Sequence, residues 1–298
     1  MLRGIALNRE SGFHFPGNSF DISFDRIARD ASHLSLDPGP WCNGADGRVD
    51  LGALALLADL ALAACMRAHL GRATRLATVS MNLQFTGAPR GGRLRATGRF
   101  QGFFRHGAGR LGMSRVSVEG KAGLLCYGGG TFMALAPPHS VTLHPVPLRT
   151  RASPEPRPLA QEDLGAKEQD ILRRADAALL RGGAFIERFW GSRPRRTKSG
   201  AECALPNGPH IGNRVGHAQG GIVLALAAAT AGAALPAHWR ISGISAWYTS
   251  PGEGPVLRSS SRLVHHGRLT AVVRTRIAGR NRRRVLEVVT THCAGDSG

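Results

Sequence analysis

Residues 77–85 read "ATVSMNLQF", with Ala77, Val79, Met81, Leu83 and Phe85 apolar and every residue between them polar. A strict period of two turns one face of an extended chain toward a core, so the segment predicts a half-buried strand. The stretch before it differs. "RVDLGALALLADLALAACMRAHL" (48–70) is apolar on all sides, the pattern of a helix enclosed by other elements. "GAPRGG" (87–92) turns the chain into "RLRATGRF" (93–100), which alternates again. After the turn "RHGAGR" (105–110) come two more strand candidates, "LGMSRVSVEG" and "AGLLCYGGGTF".

The same order then returns. An apolar helix runs from about Gln219 to Leu235 and is stopped by Pro236. "ISGISAWYTS" (241–250), a turn at "PGEGP" (251–255), "VLRSSSRLV" (256–264), a turn at "HHGR" (265–268), "LTAVVRTRIAG" and "RVLEVVTTH" (284–292) follow. Each half is thus one helix and four antiparallel strands with Gly-rich hairpin turns. Strands with no helices between them exclude a parallel α/β sheet. Seven of the 17 prolines lie between Pro137 and Pro158, which reads as a linker. The expected division is therefore a first unit over 1–136, a Pro-rich linker over 137–160 and a second unit over 161–298. The amphipathic stretch at 161–183 leads the second unit and is expected to pack outside it.

Composition narrows the classes. A chain of 298 residues with 42% hydrophobic positions can build two cores, and it is not a disordered chain. The net charge of +19 attracts polyanions, whether nucleic acid, acidic lipid or a phosphate-bearing small molecule. The densest runs, "RPRRTK" (193–198) and "RNRRR" (280–284), have no interleaved aromatics, which argues against a stacking surface for single strands. The five cysteines are scattered without metal-ligand spacing and suit reduced thiols in a cytoplasm. The apolar runs at 51–66 and 221–235 fall short of the roughly 20 residues of a membrane span, and the first carries Asp59. The N-terminus has no sustained apolar stretch of a signal peptide.

The two helix starts repeat a pattern. Asn213 and Gly216 precede Gln219-Gly220-Gly221, and Asn43 and Gly47 precede Asp50-Leu51-Gly52. Asp59 stands nine residues after Asp50, and Ala228 nine after Gln219. With a central apolar helix embraced by antiparallel strands, this resembles the hotdog fold, specifically its acyl-CoA thioesterases of the phenylacetyl-CoA-thioesterase type. That family shows an Asn, then His-Gly-Gly at the helix start, and an Asp nine residues after the His. Here the second half has Gln219 in the His place and lacks the Asp, while the first keeps the Asp and has a degraded helix start. The resemblance covers roughly residues 30–135 and 200–292. It implies an α+β fold of two hotdog units, each a helix wrapped by a curved antiparallel sheet, forming a pseudo-dimer within one chain. It also implies hydrolysis of an acyl-CoA to free acid and CoA, with no metal or redox cofactor and with CoA entering only as part of the substrate.

In the resembled family each site mixes the helix Asp of one unit with the Asn and Gly of the other. Asp59 would then meet Asn213, Gln219 and Gly220, with Thr78 in the place of a Ser/Thr that assists water. Asp59 has Ala55, Leu56, Leu62 and Ala63 as helical neighbours, so burial should raise its pKa and suit it as base or nucleophile. Gly220 and Gly221 open a helix whose first N–H groups lack intrahelical acceptors, a ready oxyanion hole. Gln219 and Asn213 offer amide hydrogens, and Gly221 and His217 are substrate-binding candidates, with structural hydrogen bonding the competing role for His217. The opposite pseudo-site pairs Ala228 with Asn43, Asp50 and Gly52, so one productive site per chain is expected. The alternatives are a non-catalytic acyl-CoA-binding module, a hotdog hydratase or dehydratase, and, on charge alone, a nucleic-acid binder. Among partners the reading expects an acyl-CoA, no specific nucleic acid, no membrane span, and a homodimer of the double-unit chain.

Overall fold

The computed structural model describes residues 1–12, 14–105, 110–150, 152–157, 159–181 and 183–295. Two short helices, α1 (Leu2–Asn8) and α2 (Phe15–Ser19), and a hairpin of β1 (Ile22–Ile27) and β2 (Ser32–Leu36) come first. Helix α3 (Leu51–Leu70) follows, then β3 (Arg75–Phe85), β4 (Leu94–Phe103), β5 (Leu111–Gly120) and β6 (Gly123–Leu135). Beyond an irregular stretch lie α4 (Ala166–Leu180), α5 (Phe185–Trp190), β7 (Arg195–Arg196) and β8 (Gly200–Pro206). Helix α6 (Gly220–Ala233) leads into β9 (Trp239–Tyr248), β10 (Val256–His266), β11 (Thr270–Ala278) and β12 (Arg284–Ala294).

All of these strands join one antiparallel sheet in the order β1-β2-β4-β5-β6-β3-β9-β12-β11-β10-β8-β7. Read outward from the centre, the two sides have the same connectivity. The seam is β3 against β9, with Met81 opposite Ala246 and Leu83 opposite Ile244, and Asn82 Nδ2 donates to Ser245 Oγ at 2.7 Å. The first half of the sheet curls around α3 and the second around α6. One apolar core runs continuously through both halves, from Leu54 and Leu62 to Leu224 and Val288.

The helices form where the sequence places them for local reasons. Leu and Ala, good helix formers, fill both. Asp50 Oδ1 caps α3 by accepting from Gly52 N at 2.7 Å, and Gln219 Oε1 caps α6 by accepting from Ile222 N at 3.0 Å. By length and composition α3 could cross a membrane, but it is mostly buried inside the protein.

Several features differ from the sequence reading. Each helix is preceded by a strand pair, β1–β2 or β7–β8, that short runs with little alternation concealed. His265 and His266 continue β10, so that turn begins at Gly267. The middle of the turn at 105–110, residues 106–109, lies outside the described residues, as do 151 and 158 of the linker and 182 of the amphipathic stretch. The amphipathic segment forms α4. It continues into α5, whose Phe189 and Trp190 are buried against Phe15 and Phe20 of the N-terminal segment. The linker is irregular but packed: Val146 is buried and Arg149 N bonds to Phe24 O at 3.3 Å.

The crossing of α3 and α6 depends on two glycines at equivalent places. A Cβ at Gly221 would lie 2.7 Å from Leu56 Cα, and one at Gly52 would lie 2.9 Å from Ala225 Cβ. At Gly221 the neighbour is backbone, which cannot yield without moving a helix. Gly221→Ala should therefore destabilise the fold by roughly 1–3 kcal/mol, an overpacking cost, read as a lowered urea midpoint at unchanged slope. An unaltered midpoint would mean that the two helices do not meet this closely.

Candidate active site

The crossing brings the middle of α3 to the first turn of α6. Asp59, 5% exposed, accepts from Gln219 Nε2 at 2.6 Å through Oδ2 and from Thr78 Oγ1 at 3.2 Å through Oδ1. A Cβ placed on Gly220 would be 3.4 and 3.6 Å from the two carboxylate oxygens and 3.1 Å from Thr78 Oγ1. The bare Gly220 thus faces the acid directly. Tyr248 Oη, from the end of β9, donates to Gly220 O at 2.9 Å and fixes this first turn from the other side.

The electrostatics are set by burial opposed by donors. Desolvation raises the Asp59 pKa to about 6, against the lowering pull of Gln219, Thr78, the charge of Arg67 and the Gly221 amide. Tyr248 is held well above its usual value by burial and by the Asp59 charge, so it stays a neutral donor. An acid near 6 is largely ionised at neutral pH yet basic enough to take a proton, which suits it to general-base work.

The site forms one wall of a cavity of about 320 Å³. Asp59, Leu60, Ala63 and Arg67 supply the α3 side, Gly220 and Val223 the α6 side, and Leu143 and Val146 of the linker reach its edge. Asp59, Thr78, Gln219 and Gly220 are therefore together, as the sequence reading expected, and Asn213 and His217 line the same cavity. Both also make local contacts. Asn213 Oδ1 accepts from Val215 N at 3.0 Å and His217 N at 3.1 Å, so only its amide nitrogen is left for a ligand. His217 Nε2 lies 3.2 Å from Glu253 Oε1, and burial lowers its pKa. Gly221, read as substrate-binding, does not line the cavity: it faces α3 at Leu56, and its amide helps hold Asp59. The open amide at the helix start is that of Gly220.

The backbone also corrects the register of the repeat. Asn213 N bonds to His217 O, Gly216 N to Asn213 O and Gln219 N to Ile211 O. In the first half Gly44 N bonds to Arg48 O, Gly47 N to Gly44 O and Asp50 N to Cys42 O. The counterpart of Asn213 is thus Gly44, not Asn43. Gly47 and Gly216, both at positive φ, mark the same turn. The opposite pseudo-site, around Ala228, Asp50 and Gly52, is largely filled: Trp190 Cζ3 lies 2.7 Å from where a Gly52 Cβ would be, leaving a space of about 40 Å³.

Sequence reasoning missed Tyr248, Arg67, His14 and Arg214, all of which line the cavity. Arg67 had a visible signal, because it stands eight residues after Asp59 on the same helix face. Among the described residues, no three His, Cys, Asp or Glu gather into a metal-binding group.

No protein-family model matches the sequence, and no curated protein matches it. Solved structures do match. The tesB protein of Mycobacterium avium subsp. paratuberculosis superposes with a TM-score of 0.55 at 12% identity, covering 99% of this chain and 99% of its own. A protein with a hot dog fold from Alicyclobacillus acidocaldarius gives 0.54 at 9% identity, over 96% of this chain and 100% of its own. An acyl-ACP thioesterase from Bacteroides thetaiotaomicron gives 0.52 at 11% identity, over 88% and 97%. At such identities the likeness is one of fold, and the fold of this chain is the hotdog fold.

The raised acid makes a stability prediction. The folded-state pKa of Asp59 is about 6 against a reference value of 3.8. Ionising it is therefore disfavoured in the fold, so its penalty is absent below pH 3.8, grows as pH rises, and is complete above 6. Asp59→Asn has no such term. Its stability relative to the native sequence should rise by about 2–3 kcal/mol between pH 4 and pH 7, measured by urea unfolding at both. A difference that does not change with pH would show that Asp59 is not desolvated.

Proposed function

We propose that the chain is a tandem pair of hotdog units, divided at the linker 137–160 and arranged as a pseudo-dimer, and that it hydrolyses an acyl-CoA thioester to free acid and CoA. The observation that carries this reading is the buried Asp59 carboxylate of one half facing the bare Gly220 at the start of α6 in the other, on the wall of a cavity. The structural neighbours named as a tesB protein and an acyl-ACP thioesterase support the thioester chemistry.

The reaction runs with groups that the chain supplies. A water between Asp59 and the thioester gives a proton to the carboxylate, and its oxygen attacks the carbonyl carbon. Charge moves to the carbonyl oxygen, which the Gly220 N–H and the positive end of α6 stabilise. Collapse breaks the C–S bond, and the departing CoA sulfur takes the proton from Asp59. Gln219 and Thr78 orient the carboxylate throughout, and Tyr248 holds the helix start in place. The basic surface favours approach of the CoA phosphates. The second pseudo-site, filled by Trp190 and lacking a helix carboxylate at Ala228, does not turn over.

Thiol release from a panel of acyl-CoAs tests the assignment. Asp59→Asn should lower kcat by roughly 10²-fold or more, and the native pH profile of kcat/KM should rise through a limb near 6 as Asp59 ionises. Full activity in a folded Asp59→Asn protein would remove the mechanism. The halves should also respond unequally to loss of their helix caps. Gln219→Ala removes a donor to Asp59 and should depress kcat, whereas Asp50→Ala should lower stability by about 1 kcal/mol with kcat retained. The reverse outcome would move the working site to the other half.

A further inference from the structure

Beyond Asp59 the cavity wall carries two arginines, Arg67 and Arg214, and Arg67 feels the Asp59 charge only from two helical turns away. Asp59, Ala63 and Arg67 stand four residues apart on one face of α3, and all three line the cavity. Arg67 is two turns further on, roughly 12 Å of helix rise from the acid, and the small Ala63 leaves the space between them open. Arg214 and His14 line the same region from the α6 loop and the N-terminal segment. The Nε of Arg67 and the Nε2 of His14 are shielded from solvent and have no hydrogen-bond partner. Among the described residues, neither Arg67 nor Arg214 belongs to an ion pair. Arg214 donates instead to the carbonyl of His144 in the linker.

These groups burden one another. Burial and the charge of Arg214 bring Arg67 down to about 10, and burial with both arginines presses His14 down to about 3. His14 is therefore neutral, and two guanidinium groups share a partly dry pocket. The other ionised groups at this cavity are occupied or distant. Asp59 is engaged by Gln219 and Thr78, Arg75 donates to Ala136 O at 3.1 Å, and Glu253, outside the lining, faces His217. A buried cation without a partner is unfavourable by itself, which is how a pocket looks when its ligand brings the anion.

We infer that Arg67, Arg214 and His14 form an anion subsite, which holds a carboxylate or phosphate carried by the substrate, across Ala63 from the reacting carbonyl. The inference rests on the thioester reading of the site. Two parts of an acyl-CoA can supply such a group: a carboxylate at the far end of the acyl chain, or a phosphate of the CoA. Guanidinium groups match either geometry.

Matched substrates separate the sources. Thiol release is followed for an ω-carboxyacyl-CoA against the uncharged acyl-CoA of equal length, and for an acyl-CoA against its dephospho-CoA counterpart. The full chain should prefer the anionic member of one pair by at least tenfold in kcat/KM, and Arg67→Met should lose that preference. Loss in the first pair assigns the acyl carboxylate, and loss in the second assigns the CoA phosphate. Taking ratios within a pair cancels the effect of Arg67 on the proton affinity of Asp59. Thermal unfolding gives a readout that needs no turnover. Glutarate or inorganic phosphate should raise Tm in the native protein and not in Arg67→Met, whose own Tm should equal or exceed the native value. Arg214→Gln repeats the comparison should Arg67→Met fail to fold. Unchanged preferences with hydrolysis intact would overturn the subsite alone. No thiol release from any substrate, with the Tm shift present, would overturn the hydrolase reading and leave the subsite standing. A missing Tm shift together with a destabilised Arg67→Met would make Arg67 a structural residue.

Discussion

Gln219 stands where α6 begins, and its amide cannot turn over without setting like against like at both ends. Its oxygen accepts the Ile222 N–H at 3.0 Å, and its nitrogen donates to Asp59 at 2.6 Å. The reverse orientation would aim a donor at a donor and an oxygen at a carboxylate. One side chain thus finishes a helix and anchors an acid on the other helix, 160 residues away in sequence. The carboxylate is tolerable on the apolar α3 because of that donor, with Thr78 and the Gly221 amide as its companions. The donor reaches it because Gly221 and Gly52 let the helices cross at backbone distance. The same two glycines that pack the core therefore also build the site.

The donors around Asp59 are few enough to leave it reactive. A carboxylate given several strong donors in a salt bridge would be held low and inert as a base. Here burial outweighs three neutral donors and a charge two helical turns away, and the pKa rises to about 6. The groups that lower it come from three segments: Arg67 on α3, Thr78 on β3, and Gln219 and the Gly221 amide at the start of α6. Each enters through regular structure, which keeps the distances among them fixed.

Much of this was legible in the residues. The alternation over 77–85 became β3, and the two all-apolar segments became α3 and α6 within a few residues. The pairing of Asp59 with Gln219 and Gly220 followed from resemblance, since no local pattern joins positions so far apart. The loop register was misread because Asn43 was matched to Asn213 by residue type, while the backbone is set by the turn at Gly47 and Gly216. Strands such as Ser32–Leu36 and Arg195–Arg196 are too short for a period to stand out, and their place is fixed by neighbours in the sheet. The prolines of the linker announced irregular backbone, but nothing in composition says that Leu143 and Val146 close over a cavity. Arg67, at the end of an apolar helix, looks like a charge meeting the helix dipole. Its spacing of eight from Asp59 points to the same side of α3, and the fold shows that side to be the cavity wall.

The asymmetry between the two pseudo-sites has a physical cause in the short helix that each half carries ahead of its strand pair, α2 in the first and α5 in the second. Both halves run through two helices, a strand pair and a short turn before the long helix, so α5 is the counterpart of α2, and each packs on the turn of the other half, α2 on Pro209–Ile211 and α5 on Pro40–Cys42. Helix α5 puts Ile186 and Trp190 against the small space left at the opposite pseudo-site, with Trp190 tilted against Phe20, Phe189 tilted against Phe15 and Phe185 edge-on to Trp41. Burying such side chains contributes about 1.5–3 kcal/mol each, so a vacant groove there would forgo stability that the filled one has. Once the groove is filled, a carboxylate at position 228 would be buried with no water to activate and no ligand to meet, and Ala228 avoids that penalty. Leu51 in the place of Gly220 follows the same logic, because a helix start that faces no substrate needs no bare backbone. The loss of chemistry and the gain of core thus go together at the pseudo-site that α5 fills. At the first-half acid the segment before α2 contributes His14 to the cavity wall, beside Leu143 and Val146 of the linker, and a space of about 320 Å³ remains in front of Asp59.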